Sequence, residues 1–547
     1  MVAPLAVATV LKGGGVVAAS LAAGGTFFLG TPRSRAASAL LALVLCPVLL
    51  LGELWESSQL QSLRSHPARI VAVGVLALVV LAALAWLFER RPLLLPVLAV
   101  AALPFRIPVQ AGGRSALLLV PLYVVVGAGG LAYVWERLWP RRVGSEDGYR
   151  LAPAERSPGY VELALLLAVV VYSIQAAYST DFETALKNVA FFYIPFALLL
   201  KLLTSFDWTA RLETWCLRVA VALAVMFAAI GFGEYATRRL LWNPKVVEAN
   251  QFRSYFRVNS LFFDPNIYGR FLAIVMVALA TLLLWTRRTR DVAWLSVLLA
   301  LLWAGLVLSL SQSSFAALLA GLAVLAAVRW RARPVVAAVV AALALLAIVV
   351  FAIPGSVHLH GHSAKSLNRA TSGRVDLMKG GLAMFADRPI YGYGSGSFAE
   401  RYRAREGKGE AQAASASHTI PITVAAEQGV IGLAAYLFVL GASFRMLFGG
   451  LLRLRQPEPP PTARLLGRMV IAAAFSALVL HTLLYADFLE DPITWALLGI
   501  GIALRRGPPR PRRPKSETAG DDDAAGLRDV RAGAPLAARA RTGQSGP

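Results

Sequence analysis

The sequence has little charge and little cysteine for a chain of its length. Asp, Glu, Lys and Arg make up 16% of its 547 residues, whereas an ordinary soluble domain contains about 25% of them. The two cysteines, Cys46 and Cys216, lie inside apolar runs and are expected to be small core residues, not disulfide partners or metal ligands. The chain also lacks the polar linkers that divide a soluble protein of this size into domains. These shortages exclude a soluble enzyme, a fibrous protein and a disordered chain.

Apolar residues make up 57% of the sequence and occur in successive runs, most of them about 20 residues long. A helix of that length crosses a hydrocarbon core of about 30 Å. The pattern therefore predicts an all-α polytopic membrane protein with about 12–15 transmembrane helices and one large extracytoplasmic loop subdomain. It excludes an outer-membrane barrel, whose strands have about 10 residues of alternating polarity.

The spacing of the runs divides the chain into successive segments. They are N-terminal transmembrane helices (1–233), an outer loop (234–266), further transmembrane helices (267–353), a large extracytoplasmic loop (354–420), C-terminal transmembrane helices (421–504) and a disordered cytoplasmic tail (505–547). Within the first segment, the run 92–108 is interrupted by Pro96, Pro104 and Pro108 and is predicted to be a broken helix. A further span is predicted at 115–135.

Arginine clusters predict the orientation of the helices. With these spans, five clusters fall on the same side: Arg141–Arg156, Arg287–Arg290, Arg329–Arg333, Arg453–Arg468 and Arg505–Arg513. Short loops rich in Lys and Arg face the cytoplasm, and the formal net charge of +23 follows from this rule. A nucleic-acid partner is not expected, because the chain has no soluble module with a basic face. The two long loops then lie on the extracytoplasmic side.

Charged residues beside the predicted membrane entry points are the first candidates for chemistry. The stretch RVNSLFFDPNIYGRFL contains Arg257, Asp264, Asn266 and Arg270. Arg270 falls inside a span, where a charge is costly and therefore suggests a function. Arg374 lies in the large outer loop. Arginine binds phosphate oxygens through paired hydrogen bonds at any working pH, although solvated arginines or pairs with nearby aspartates are the structural alternative.

A glycine-rich run in the large loop, GYGSGS, contains Gly392 and Gly394. It superficially resembles a dinucleotide-binding fingerprint, but that fingerprint requires a strand before it and a helix after it. Because the run follows Arg388-Pro389 in an outer loop, a tight turn is predicted instead. The nearby run HLHGH, residues 358–362, has no Cys or paired carboxylate beside it. No metal site is therefore predicted there.

His418 stands where the large outer loop re-enters the membrane. A histidine in this position can act as a neutral base near pH 7, and an ordinary interfacial histidine is the alternative. Asp487 and Glu490 stand at the outer end of the last helix pair. They can hold a sugar, pair with the arginines or simply be solvated at the helix ends.

Three stretches of the sequence form one ordered pattern. The first is Arg257–Asn266, the second reads SGRVDLM…DRPIYGYGSGSF, and the third is His418–Gly432. The pattern resembles the bacterial O-antigen ligase/O-antigen polymerase superfamily, which has an R…(F)x(D/N)PN segment, an R…W…P..G.G...F stretch and an H-[NSQ]-x9-G-x-x-G element. Thr419 departs from the Asn, Ser or Gln of the last element, and Met378 stands near the usual Trp.

The resemblance implies a membrane glycosyltransferase at the outer face of the bacterial cytoplasmic (inner) membrane. The donor would be a glycan on an undecaprenyl-pyrophosphate carrier, and the acceptor a hydroxyl on a lipid- or protein-linked sugar or on a protein. Neither a metal nor a cofactor is implied, and the surroundings would be membrane lipids. Under this hypothesis His418 is the general base, Arg257 and Arg374 hold the pyrophosphate, and Arg270 supports them.

The remaining substrate-binding candidates are the polar and glycine residues of the same stretches: Asp264, Asn266, Gly392, Gly394, Asp487 and Glu490. Ligase and polymerase remain open alternatives within the superfamily, because they share the donor and differ in the acceptor. A lipid-linked glycan transporter or flippase is the alternative from another class. The chain shows no internal repeat relating its halves, which argues against a transporter.

Overall fold

The computed structural model describes residues 2–54, 67–111, 114–139, 157–241, 246–247, 250, 255–330, 332–352, 374–406, 419–451 and 461–506. The predicted cytoplasmic tail from 507 onward and the histidine-rich run 358–362 lie outside the described residues.

The apolar runs form helices in both halves of the chain. The first half contains α1 (Val2–Phe28), α2 (Pro32–Leu54), α3 (Pro67–Arg90), α4 (Leu94–Ala102), α5 (Val120–Leu138), α6 (Tyr160–Ala176), α7 (Phe182–Asn188), a π-helical turn (Val189–Tyr193), α8 (Ile194–Thr204) and α9 (Ala210–Thr237). The second half contains α10 (Pro265–Trp285), α11 (Thr289–Ser309), α12 (Gln312–Trp330), α13 (Ala332–Ala352), α14 (Arg374–Asp387), α15 (Phe398–Glu406), α16 (Ile420–Phe448), α17 (Ala463–Leu484) and α18 (Pro492–Arg506).

Nine helical segments among the described residues are long and apolar enough to cross a membrane. Large apolar side chains cover the outside of such segments: Val71, Leu76 and Leu78 of α3 are each 64–65% exposed. A continuous apolar surface of this kind is unfavourable in water and is stable against lipid. The predicted class, an all-α polytopic membrane protein, is therefore confirmed. Nine is fewer than the 12–15 predicted spans, in part because α4, α6 and α18 have only 9, 17 and 15 residues.

The structure corrects the sequence-based prediction between residues 92 and 120. The helix predicted at 92–108 covers only Leu94–Ala102. It is followed by an antiparallel hairpin of β1 (Ile107–Ala111) and β2 (Arg114–Leu118), in which Ile107 is opposite Leu118. Pro104 explains the end of the helix, because proline lacks an amide proton and obstructs the preceding turn. Pro96 does not break it, because it lies in the first turn, where the amide proton would have no partner in the helix. The span predicted at 115–135 accordingly begins at Val120.

Arginines of two predicted clusters meet at one end of the helix bundle, which is called the arginine end below. Arg464 donates through Nε to the carbonyl of Leu504 (2.7 Å) near the end of α18. Arg468 donates to the carbonyl of Gly449 (2.8 Å) just after α16, and Arg505 donates to the carbonyl of Met446 (2.9 Å). Cations stabilise helix C-termini because the last carbonyls carry partial negative charge. These contacts place the start of α17 beside the ends of α16 and α18.

The opposite end of these helices is called the loop end. It contains the segments 255–264, 388–397 and 485–491, which precede or follow α10, α15, α17 and α18. Helices α10, α12 and α17 pack against one another, and α18 packs against α8 and α17. Gly321 of α12 allows one of these close approaches, because an added Cβ would lie 2.5 Å from the side chain of Val277.

Candidate functional site

The first motif forms the start of α10 at the loop end. The side chain of Asp264 accepts the amide proton of Asn266 (2.6 Å), and Pro265 occupies the first helical position. An N-cap aspartate followed by proline is a favourable helix start, since the proline needs no partner for its missing amide proton. The predicted substrate ligand Asp264 therefore has a local structural role as a helix cap.

Arg257 is held at the loop end by the ends of two helices. Its Nε donates to the carbonyl of Ser309, the last residue of α11, at 3.0 Å. Its Nη2 lies 3.4 Å from Oδ1 of Asn266. Its backbone is fixed as well, because Asn250 accepts its amide proton (3.1 Å) and donates to its carbonyl (2.9 Å). The predicted residues Arg257 and Asn266 are thus in direct contact.

A group of buried serines surrounds Asn266, and it was missed by the sequence analysis. Ser311 donates its hydroxyl to Oδ1 of Asn266 at 2.8 Å, and Ser314 donates to the carbonyl of Asn266 at 3.1 Å. The two serine hydroxyls are 2.7 Å apart. A usable signal was present in the sequence, because the run SLSQSS places four hydroxyls between two apolar helices.

The same serine group reaches a buried histidine. The hydroxyl of Ser313 lies 3.2 Å from Nε2 of His481 in the last turn of α17. The ring of His481 stands 5.5 Å from that of Tyr485. This contact links α12 to α17 and extends the polar layer from Arg257 towards the segment 485–491.

Arg270 forms a buried ion pair with Asp491. Its Nη2 lies 2.5 Å from Oδ2 of Asp491, and each side chain is 1% exposed. The other carboxylate oxygen of Asp491 accepts the amide proton of Ile493 (2.9 Å) at the start of α18. Nε and Nη1 of Arg270 have no hydrogen-bond partner among the described residues. A charge in this position is tolerated only when it is paired, and Asp491 supplies the pairing.

Glu490 lies beside this ion pair and accepts a hydrogen bond from the hydroxyl of Tyr193 at 2.7 Å. The rings of Tyr193 and Tyr172 are 4.8 Å apart at nearly right angles. Burial, reinforced by the negative charge of Asp487, raises the pKa of Glu490 above its usual range. Asp487 itself has a left-handed backbone, with a φ of 71°.

A small cavity of about 70 Å³ separates Glu490 from a second carboxyl group, Glu427 of α16. It is lined by aromatic and polar side chains from α6, the π-helical turn and α16, including Tyr172, Tyr193 and Thr423. It is too small for a sugar ring and can hold only water or a small substituent.

The glycine-rich run is a tight turn that docks onto α16. The side chain of Glu427 accepts the amide protons of Gly396 (2.9 Å) and Phe398 (3.0 Å). An added Cβ on Gly392 would lie 2.3 Å from the carbonyl oxygen of Glu427, and one on Gly394 would lie 2.3 Å from Cα of Ser179. These contacts explain both glycines by packing. Their predicted role in binding substrate stays a prediction.

Helix α16 is interrupted where the turn meets it. Gly429 has a φ of 64°, and an added Cβ there would lie 2.3 Å from the carbonyl oxygen of Ile390. The amide of Val430 donates to the carbonyl of Pro389 at 2.7 Å. Only glycine combines this backbone conformation with so close a contact. The first glycine of the third motif is thus needed to join α16 to the second motif.

The side chains of two predicted catalytic residues lie outside the described part of the structure. His418 lies outside the described residues, two positions before α16 begins at Ile420. Arg374 is the first residue of α14, and its side chain also lies outside the described part. Among the described residues, no group of three or more His, Cys, Asp or Glu side chains is arranged to hold a metal ion. The predicted roles of His418 and Arg374 stay predictions.

Residues 297–437 match the family model of the O-antigen ligase. This stretch belongs to the O-antigen ligase/polymerase superfamily. It contains the serine group, Arg374, the glycine turn, His418 and Gly429. Arg257, Arg270 and the segment 485–491 lie outside the matched residues and join the site only through the fold. No curated protein matches the chain.

The match confirms the resemblance predicted from the motifs. It indicates a multi-pass membrane protein with glycosyltransferase activity of the O-antigen ligase or polymerase type. Such an activity implies a lipid-linked glycan donor and an acceptor in the membrane.

Proposed function

We propose that this protein transfers a glycan from an undecaprenyl-pyrophosphate carrier to an acceptor hydroxyl, in the manner of an O-antigen ligase. The loop end would face the extracytoplasmic side of a bacterial inner membrane, with the arginine end in the cytoplasm. The acceptor would be a lipid- or protein-linked sugar, or a protein. Neither a metal ion nor a cofactor takes part in the proposed step.

The observation that carries the proposal is the position of two arginines in one polar layer at the loop end. Arg257 contacts Asn266, and Arg270 lies one helical turn further along the same face of α10. Two donors of Arg270 have no described partner. The pyrophosphate of a lipid carrier lies at this depth, because its tail stays in the bilayer while its charges stay at the interface.

An apolar groove that begins at Phe271, the residue after Arg270, offers a place for the carrier tail. It has a volume of about 330 Å³ and is lined by α9, α10, α17 and α18, with Phe271 and Ile493 towards the loop end and Leu282 and Leu504 towards the arginine end. Leu282 follows Phe271 by eleven helical positions, a length of about 17 Å. A groove of this length accepts several isoprene units next to the proposed pyrophosphate position.

In the proposed reaction, the acceptor oxygen attacks the anomeric carbon of the donor sugar. The bond from that carbon to the pyrophosphate oxygen breaks, and undecaprenyl pyrophosphate leaves. His418 takes the proton of the acceptor hydroxyl, and Arg257 and Arg374 balance the charge that develops on the pyrophosphate. Arg270 would act from its paired position beside Asn266. Asp487 would meet the sugars, and Glu490 would meet a small sugar substituent that enters its cavity.

The test is release of the carrier from a defined donor. The purified protein is placed in liposomes with an undecaprenyl-pyrophosphate glycan and an acceptor extract, and products are measured by mass spectrometry. We expect His418→Ala to lower the rate at least about 10²-fold, which is the lower range of general-base catalysis. Arg257→Ala should lower it to a similar extent, whereas Arg290→Ala, which removes an exposed charge at the arginine end, should not.

The outcomes separate the alternatives. An elongated donor glycan would indicate a polymerase, and a new glycoconjugate would indicate a ligase. Equal rates in the wild type and in His418→Ala would refute the proposed base. Movement of the lipid-linked glycan across the bilayer without carrier release would replace the transferase by a flippase.

A further inference from the structure

A second polar cavity lies at the loop end, next to the end of α9. It has a volume of about 420 Å³ and is lined by Arg238, Arg239, Leu240, Val247, Asn250 and Phe256. Its size lies within the range of about 300–1,000 Å³ that is typical of sites for small ligands. Two of its six lining residues are cationic, and none of the six is acidic. The proposed transfer step uses neither arginine.

Arg238 is fixed in this cavity by aromatic rings. It ends α9 in a left-handed conformation, with φ and ψ of 55° and 30°. Its guanidinium carbon stands 4.4 Å from the ring centre of Tyr235 and 5.3 Å from that of Phe256. Stacking occupies the faces of a guanidinium group and leaves its in-plane N–H groups free to bind an acceptor. The arrangement is suited to a planar anion approached edge-on.

The cavity adjoins the proposed transfer site through Asn250. This residue lines the cavity, and the same side chain holds the backbone of Arg257 through two hydrogen bonds of 2.9 and 3.1 Å. A glycan whose reducing end reacts beside Arg257 therefore has this cavity as a neighbour. The shared residue distinguishes it from an unrelated surface depression.

We propose that this cavity binds an acidic sugar, carrying a carboxylate group, within the glycan substrate. The inference rests on the proposed function for the identity of the glycan. Arg238 and Arg239 bind the acidic group, and the aromatic edge of Phe256 packs against the sugar ring. Asn250 keeps one amide proton beyond its bonds to Arg257 that can be donated to a sugar hydroxyl. Neutral glycans lack the group that the two arginines recognise.

Binding is measured first without any transfer reaction. The full-length protein in uncharged nanodiscs is titrated calorimetrically with a glucuronate-containing oligosaccharide, and with the same oligosaccharide after its carboxyl groups have been reduced to alcohols. We expect the acidic oligosaccharide to bind more tightly than its neutral counterpart. Arg238→Gln combined with Arg239→Gln should weaken binding of the acidic oligosaccharide by at least about tenfold, as for loss of charge-assisted hydrogen bonds. If the double variant folds poorly, Arg239→Gln alone tests the proposal, because Arg239 is exposed. It should also weaken binding of the acidic oligosaccharide.

A matched pair of donors then tests the role in transfer. With an acidic and a neutral undecaprenyl-pyrophosphate glycan, the double variant should lose kcat/KM for the acidic donor only. Equal affinity of the wild type for the acidic and neutral oligosaccharides would overturn the proposal. The proposal would also be overturned if the protein bound anionic phospholipid vesicles through Arg238 and Arg239 and did not bind the acidic oligosaccharide. Because the calorimetry needs no transfer, loss of the proposed function would leave its result intact.

Discussion

Replacing Asp491 by asparagine would remove the counter-charge of Arg270 inside the helix bundle. The two groups are 2.5 Å apart and each is 1% exposed, so water does not screen them. Asparagine keeps the shape of the side chain and an oxygen that can accept the amide proton of Ile493. The change therefore removes the negative charge while leaving the shape of the side chain and the helix cap in place. Breaking one partner of a buried pair costs about 3–5 kcal/mol, and we expect the free energy of unfolding to fall by about that amount.

The assay is reversible unfolding in mixed micelles, followed by far-ultraviolet circular dichroism. The matched control is Asp387→Asn, which breaks the ion pair of Asp387 with Arg405 at 44% and 41% exposure. An exposed pair of this kind contributes about 0–1 kcal/mol. If Asp491→Asn were no more destabilising than the control, Arg270 would not depend on Asp491. Adding Arg270→Met to Asp491→Asn should recover much of the stability, since no unpaired charge then remains buried and the cap on Ile493 is kept.

Three further perturbations test other parts of the site. Gly429→Ala should destabilise the protein and abolish transfer, because its Cβ would lie 2.3 Å from a carbonyl oxygen of the glycine turn; Gly441→Ala in the same helix, with nothing within 4 Å, should be neutral or stabilising in a thermal unfolding assay. Ser311→Ala should lower kcat by loosening Asn266, at a cost in stability of about 1 kcal/mol; unchanged kcat would contradict this role. Because burial raises the pKa of Glu490 above 4.5, its ionisation opposes folding, and stability should fall as pH rises from about 4.5 through the raised pKa. Glu490→Gln should flatten a plot of melting temperature against pH over this range. An unchanged slope would contradict a raised pKa of Glu490.

The membrane class followed from the sequence because it depends on composition and run length. Apolar runs long enough to span a bilayer have few alternatives to helix, since every backbone polar group must be satisfied internally. The hairpin before α5 did not follow. Pro104 and Pro108 indicated a break in the helix. The pairing of Ile107 with Leu118 depends on two segments together, so neither segment alone predicts the hairpin.

The site was predicted only in part, because contacts between distant segments cannot be predicted from either segment alone. The cost of a charge inside a span identified Arg270 from its position alone. Its partner, Asp491, depends on how α10 and α18 are aligned, which the hydropathy of each helix does not specify. The serines around Asn266 were overlooked because single hydroxyls are tolerated in membrane helices. Their clustering in SLSQSS was the available signal. The role of Gly429 likewise required knowing that the glycine turn packs on α16.

Three helix starts at the loop end are already neutralised, which favours arginines as the anion-binding groups of the proposed chemistry. Helices α10, α12 and α18 all begin there, and an uncapped helix N-terminus attracts anions. All three starts are already capped by side chains: Asp264 accepts from Asn266, Ser311 from Ser314, and Asp491 from Ile493. Two of these caps are carboxylates, which cancel the positive end of the helix dipole. In the proposed reaction, the positive charge that meets the pyrophosphate would then come from Arg257, Arg270 and Arg374 and not from these three helix starts. Removing a cap should lower stability and leave affinity for the donor nearly unchanged, whereas Arg257→Ala should lower that affinity strongly and stability only by about 1–3 kcal/mol, the cost of its lost hydrogen bonds.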